Sequence, residues 1–169
     1  MKKIAIGCGI FLVVGLGLIC LMFYILSLPK LKDSSDQKHF SEIVNKTLTT
    51  KKRTLILVHP GILKNENYTN HLEDGTSYGM DSHLEVNAAI PIGSKVIIDK
   101  VVLYTGRVSG TTSAYLFGKV YPKDTQKEYT FEYTWGYYHS LYEDKPYWTF
   151  ELAFWQDAPL NKKYFIAVP

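Results

Sequence analysis

Beyond residue 26 the chain has no cysteine; Cys8 and Cys20 are the only two in 169 residues. Most of the protein therefore has no disulfide framework, thiolate metal site or cysteine nucleophile. A charge excess is also missing. The 19 basic residues face 16 acidic ones, and Lys2 and Lys3 precede residue 4, which leaves 17 against 16 for the rest. A nucleic-acid reader carries a basic stripe, so this balance argues against a nucleic-acid partner. One catalytic signature is absent as well: there is no H-E-x-x-H pair.

What is present begins with Ile4 to Leu26, an apolar run without a charge. About 20 apolar residues suffice to span a bilayer, so a transmembrane helix is expected over 4–26. Lys2 and Lys3 place the N-terminus in the cytoplasm. A cleaved signal peptide is the rival, but its apolar core is shorter, at roughly 7–15 residues, and ends at a small-x-small site; Ile25-Leu26-Ser27 is not one. Lipidation at Cys20 is a third possibility, weakened by Leu18 and Ile19 where small residues are expected. Ala5 and Gly9 form a small-xxx-small pair suited to helix association or to plain membrane filler. The expected organisation is a cytoplasmic stub at 1–3, the span at 4–26, a linker and amphipathic helix at 27–53, and an extracytoplasmic β domain at 54–169.

The helix is expected over about Asp36 to Thr50. Phe40, Ile43, Val44 and Leu48 fall on one helical stripe, and Ser34 with Gln37 fits a capping box. Beyond it the chain reads as strands, and its 13 Tyr, 8 Phe and 3 Trp suit a pleated surface better than a helix. Thr54–Val58 is an apolar run of strand length. Lys95–Thr105 and Ser113–Tyr121 flank a Gly106–Gly110 break. Tyr129, Phe131, Tyr133 and Trp135 alternate with polar residues, and Trp148, Phe150, Leu152 and Phe154 alternate with Thr149, Glu151 and Ala153, which suggests a hairpin. After a turn at Asp157–Asn161, a last strand is expected over Tyr164–Val168. Residues 63–87 show no period and read as a long loop or an unresolved hairpin. The fold class expected is mostly β, a small antiparallel barrel or sandwich.

Ile90-Pro-Ile-Gly-Ser-Lys-Val96, with the strand behind it, resembles the turn-and-strand element of bacterial SH3-like domains. The resemblance covers about residues 88–121. It implies a β-barrel that binds peptide or cell-wall ligands in the envelope, and no catalysis. No closing strand of the GWV type is present, and the aromatic hairpin at 129–155 is longer than such a barrel needs.

Histidine, carboxylate and aromatic clusters supply the candidate chemistry. His59, His71 and His83 recur every twelve residues, with Asp74 and Asp81 between them. His71, His83 and Asp81 are the weak candidates for a metal, because imidazoles plus a carboxylate can ligate zinc; scattered loop histidines more commonly serve as polar surface. Asp74 with Asp81, or Glu128 with Glu132, can be drawn as acid/base pairs, yet Glu132 on the polar side of a strand reads as a solvated carboxylate. Asn45-Lys46-Thr47 and Asn67-Tyr68-Thr69 match a glycosylation acceptor; in a chain of bacterial appearance they are ordinary polar stretches. The densest cluster runs from Trp135 to Trp148. Trp135, Tyr137, Tyr138, Tyr142, Tyr147 and Trp148 offer the rigid amphipathic area found at interface hot spots, or they fold back onto the core. Arg107 in the Gly106–Gly110 loop is placed to hold an anion.

The reading that emerges is a non-catalytic binding module without a cofactor. It is held at the inner membrane of a bacterium through 4–26 and acts outside the cytoplasm as an envelope adaptor or accessory subunit on a protein or cell-wall partner. Two alternatives are an immunity protein against a delivered toxin and a metal-dependent hydrolase using the loop 59–87.

Overall fold

A computed structural model describes residues 2–58, 61, 64–74, 84–107 and 109–169, with only the backbone of 2–12. Among the described residues, helix α1 (Lys2–Leu26) is followed by ten strands that form one sheet. Among the described residues no helix is long and apolar enough to cross a membrane. The expectation of a transmembrane helix over 4–26 is corrected accordingly.

The sheet is built on three long strands: β6 (Lys95–Thr105), β7 (Thr112–Tyr121) and β8 (Tyr129–His139). They pair in succession, antiparallel. On the outer edge of β6, β1 (Lys30–Asp33) and β2 (Thr47–Thr49) lie end to end. The far edge of β8 is shared. Its C-terminal end, Tyr137–His139, pairs with β9 (Tyr147–Phe150), which in turn pairs with β10 (Leu160–Tyr164). Its earlier residues Phe131 and Glu132 pair with β4 (Asn70–Asp74) in parallel, and β3 (Thr54–Val58) and β5 (Val86–Ile90) extend that wing.

The sheet is therefore mixed, which corrects the expected antiparallel barrel or sandwich. The reason lies in β9. It follows β8 for three residues and ends at Phe150, so the open edge of β8 accepts a second neighbour. Residues 151–155 leave the sheet and bury Ala153, Phe154 and Trp155 beneath it. The last strand is also displaced from 164–168 to Leu160–Tyr164.

Two bulges bend the long strands and reverse which alternate residues face inward. In β6, Asp99 is the extra residue between Ile98, opposite Gly118, and Lys100, opposite Phe117. Val96 and Ile98 point inward before it, and Val101 and Leu103 after it. In β8 the shift falls between Thr134, opposite Tyr115, and Tyr137, opposite Ser113. Gly136 occupies that bulge with φ +102°, where a side chain is strained.

The amphipathic helix expected over 36–50 is not formed. Phe40 and Ser41 both donate backbone N–H to the Gln37 carbonyl, and Ile43 and Val44 to that of Phe40, but no ladder propagates. His39 at φ +97° and Asn45 at φ +57° break it, and the Asn45 N–H turns away to the Ile98 carbonyl. The apolar stripe keeps its inward direction: Phe40 is fully buried, and Ile43, Val44 and Leu48 pack on the same core. Segment 27–53 thus belongs to the sheet through β1 and β2.

Candidate functional site

The turn between β6 and β7 and the turn between β8 and β9 lie side by side, because Thr105 pairs with Thr112 and Ser113 with Tyr137. The first turn is tied by the Gly106 N–H to the Thr111 carbonyl (2.9 Å) and by a Thr105–Thr112 hydroxyl contact (2.9 Å). A cleft of about 370 Å³ separates the turns, with Ser109–Thr112 on one wall and Tyr138–Leu141 on the other. Two candidates distant in sequence, the Arg107 loop and the aromatic connection, thereby reach one end of the sheet.

The aromatic candidates separate into core and surface. Trp135 and Trp148 are core residues, 2 % and 0 % exposed. The Trp135 indole N–H donates to the Glu151 carbonyl (2.9 Å) and that of Trp148 to the Ile166 carbonyl (3.2 Å). Tyr138 faces inward after the Gly136 bulge, its ring 5.3 Å from Trp148. Tyr147 is covered on one side by His139, with ring centres 4.9 Å apart, and Lys163 Nζ stands 3.8 Å from its ring centre. The bulge turns Tyr137 outward, and Arg107 lies exposed in its turn. Tyr142, at φ +61°, is 97 % exposed, and its neighbour Leu141 is 76 % exposed. Sequence reasoning passed over Leu141; its signal was an isolated leucine in the otherwise polar turn Ser140–Pro146.

Glu128 and Glu132 are held by separate partners, and the pair of Asp74 with Asp81 falls partly outside the described residues. Glu128 lies at the surface, where the Tyr121 hydroxyl (2.6 Å) and Lys119 (3.2 Å) hold its carboxyl below the ordinary range. Glu132 is buried, not solvated, and accepts from Lys64 Nζ at 3.0 Å. Burial alone would lower the Lys64 ammonium, but the hydrogen bond and charge of Glu132 outweigh it and raise its pKa. The same Nζ lies 4.2 Å from the Tyr115 ring centre, a favourable cation–π distance. Burial pushes the Asp74 carboxyl up against the pull of Lys52, and the Tyr133 hydroxyl donates to it at 3.2 Å. His71 stands between Leu57 and Glu132 in register. Among the described residues no three His, Cys, Asp or Glu side chains converge on a metal position; His59, His83 and Asp81 lie outside the described residues, as does much of the loop 59–87.

His39 is a feature without any sequence signal. Its ring is packed 4.1 Å from Tyr164, 4.4 Å from Phe150 and 5.3 Å from Trp135, and its Nε2 is buried without a hydrogen-bond partner. Burial lowers its pKa below the ordinary 6.5, against a weaker opposing pull from Glu42. The unfolded chain takes up a proton near 6.5 that the folded chain refuses. Stability is therefore fully present above that pH and declines as the pH falls through it. His39→Phe keeps the ring packing and the left-handed backbone, so melting temperatures at pH 7.5 and 5.5 should lie closer together in this variant than in the parent. An equal spread in both proteins would show that His39 does not titrate in this way.

No family model matches the chain, and neither the curated proteins nor the solved structures contain a match.

Proposed function

We propose that the chain is a non-catalytic binding module of the cell envelope that captures a protein partner with its turn end. The observation carrying this reading is the tip Leu141–Tyr142, an aliphatic and an aromatic side chain held in solvent on the exposed turn between β8 and β9. A tyrosine at positive φ stores strain, and strained residues cluster at functional contacts. Tyrosine also binds with little loss of side-chain freedom. Arg107 on the adjacent turn supplies a cation for a carboxylate of the partner. The short SH3-like resemblance over 88–121 points the same way, toward recognition and away from turnover.

Crosslinking of the full chain in intact cells tests it. A Leu141→Ser, Tyr142→Ala double variant should lose about tenfold or more of the specific crosslinked product, since hot-spot tyrosines contribute about 2 kcal/mol. Its melting temperature should match the parent's, because neither side chain packs on the core. Undiminished capture by a folded variant removes the turn end from the function.

A further inference from the structure

A groove of about 550 Å³ runs between residues 37–42 and β10. Gln37, Lys38, His39 and Glu42 form one wall, and Leu160 with the unbroken stretch Lys162–Ile166 forms the other. A strand turns alternate side chains to opposite faces. Three consecutive residues of β10, Lys162–Tyr164, therefore line the groove only if it follows the strand's edge, and Phe165 and Ile166 continue that wall past the strand's end. β10 is such an edge: it pairs with β9 at Leu160–Phe150 and Tyr164–Trp148, with a bulge between, and no strand flanks its other side among the described residues. An edge strand offers unpaired N–H and C=O groups to an incoming chain.

From this geometry we propose that the groove receives an extended acidic peptide from a partner protein, which adds to β10 as a further strand. Charge selects the occupant. Lys38, Lys162 and Lys163 border the groove against a single acid, Glu42. Lysines on an edge strand are also the common guard against self-pairing. Here that guard excludes a second copy of β10, whose own Lys162 and Lys163 would face the first pair, while it admits a strand carrying carboxylates. One side of the groove is already rigid: the His39 ring is packed against Tyr164 and Phe150 and held at φ +97°. Phe165, exposed beside the strand, adds an apolar step for one side chain of the incoming chain. Strand addition draws affinity from main-chain hydrogen bonds and selectivity from contacts to alternate side chains, and this groove provides both. The site is separate from the Leu141–Tyr142 tip and does not depend on the reading given for it.

Fluorescence anisotropy of the full chain with labelled synthetic hexapeptides is the test. An alternating Glu-Val peptide should bind at least tenfold more tightly than the Lys-Val peptide. It should also bind at least tenfold more tightly than a Glu-Val peptide N-methylated at every residue, which keeps the side-chain charge but has no backbone N–H to offer from either edge. Lys162→Glu with Lys163→Glu should weaken the acidic peptide at least tenfold while the melting transition is retained, and Tyr142→Ala should leave binding unchanged. Equal binding of the N-methylated peptide overturns strand addition. Equal binding of the basic peptide overturns the charge argument. An unaffected lysine double variant places the peptide elsewhere and overturns the site. Complete displacement by inorganic phosphate, with chloride at equal ionic strength inactive, reduces the groove to an anion site and also overturns the proposal.

Discussion

Trp135→Ala is expected to lower stability by about 3–5 kcal/mol, the range for removing a large aromatic from a packed core. For a chain of this size that is a fall in melting temperature of roughly 6–20 °C, and a large share of the 5–15 kcal/mol that holds a typical domain folded. The size of the effect follows from the neighbours. The Trp135 ring centre lies 4.5 Å from Phe150, 5.1 Å from Trp155, 5.3 Å from His39 and 6.4 Å from Phe40. These rings come from β9, the buried turn after it and the segment ahead of β2, so one side chain joins three parts of the chain. Its N–H also satisfies the Glu151 carbonyl, which the alanine would leave unpaired. Trp135→Phe keeps a ring in place and should recover part of the loss. Tyr142→Ala, by contrast, removes a side chain that touches almost nothing and should stay within about 0.5 kcal/mol, as surface substitutions do. Near-UV circular dichroism followed through urea and thermal unfolding separates the three. A Trp135→Ala protein within 1 kcal/mol of the parent would show that this ring is not the hub of the core.

The contrast between Trp135 and Tyr142 also marks what could be read from the sequence. Tyr129 to Trp135 alternate cleanly, and the inward parity of Phe131, Tyr133 and Trp135 was visible in that alternation. Carrying it on would also put Tyr137 inside; Gly136 reverses it, and a glycine inside a strand is the available sign of such a bulge. The long β6–β7 pair was legible because its β-branched runs flank a glycine-rich turn. The parallel pairing of β4 with β8 was not, because it depends on how far β9 extends, a matter of competition for one strand edge that no local pattern encodes. Residues 36–50 show periodicity succeeding and failing together: Phe40, Ile43, Val44 and Leu48 do face the core, yet His39 and Asn45 adopt left-handed backbone that no helix tolerates. The aromatic density from 135 to 148 turns out to span both core and surface. Composition could not divide Trp135 and Trp148, which are core, from Tyr142, which is surface. The His39 groove had no local signal, since its two walls are more than a hundred residues apart in sequence.

Gly118→Ala should be about as damaging as Trp135→Ala for an opposite reason, too much volume where Trp135→Ala leaves too little. Gly118 lies mid-strand in β7, between Ile98 of β6 and Phe131 of β8. A Cβ there would stand 2.4 Å from the Ile97 carbonyl oxygen, 3.1 Å from Phe131 Cζ and 3.2 Å from Ile98 Cα. Phe131 can rotate slightly; the two backbone atoms cannot move unless β6 shifts against β7 beside the Asp99 bulge. Overpacking of a close-packed interior costs about 1–3 kcal/mol where side chains can adjust, and more where they cannot, so a loss of about 3 kcal/mol or more is expected. The unfolded chain acts the other way: alanine has fewer conformations to lose than glycine, which on its own would stabilise by about 0.4–1 kcal/mol. The sign of the change therefore decides between them. Gly110→Ala is the matched control. That residue sits at φ +64° with open space around its Cβ position, so only backbone strain of roughly 1–2 kcal/mol opposes the substitution. Urea midpoints should rank the parent first, Gly110→Ala next and Gly118→Ala last. If Gly118→Ala equals or exceeds the parent, β6 and β7 do not approach this closely. The register that sets the Arg107 turn beside the Leu141–Tyr142 tip would then have to be redrawn, because both turns are positioned by the same β6–β7–β8 pairing.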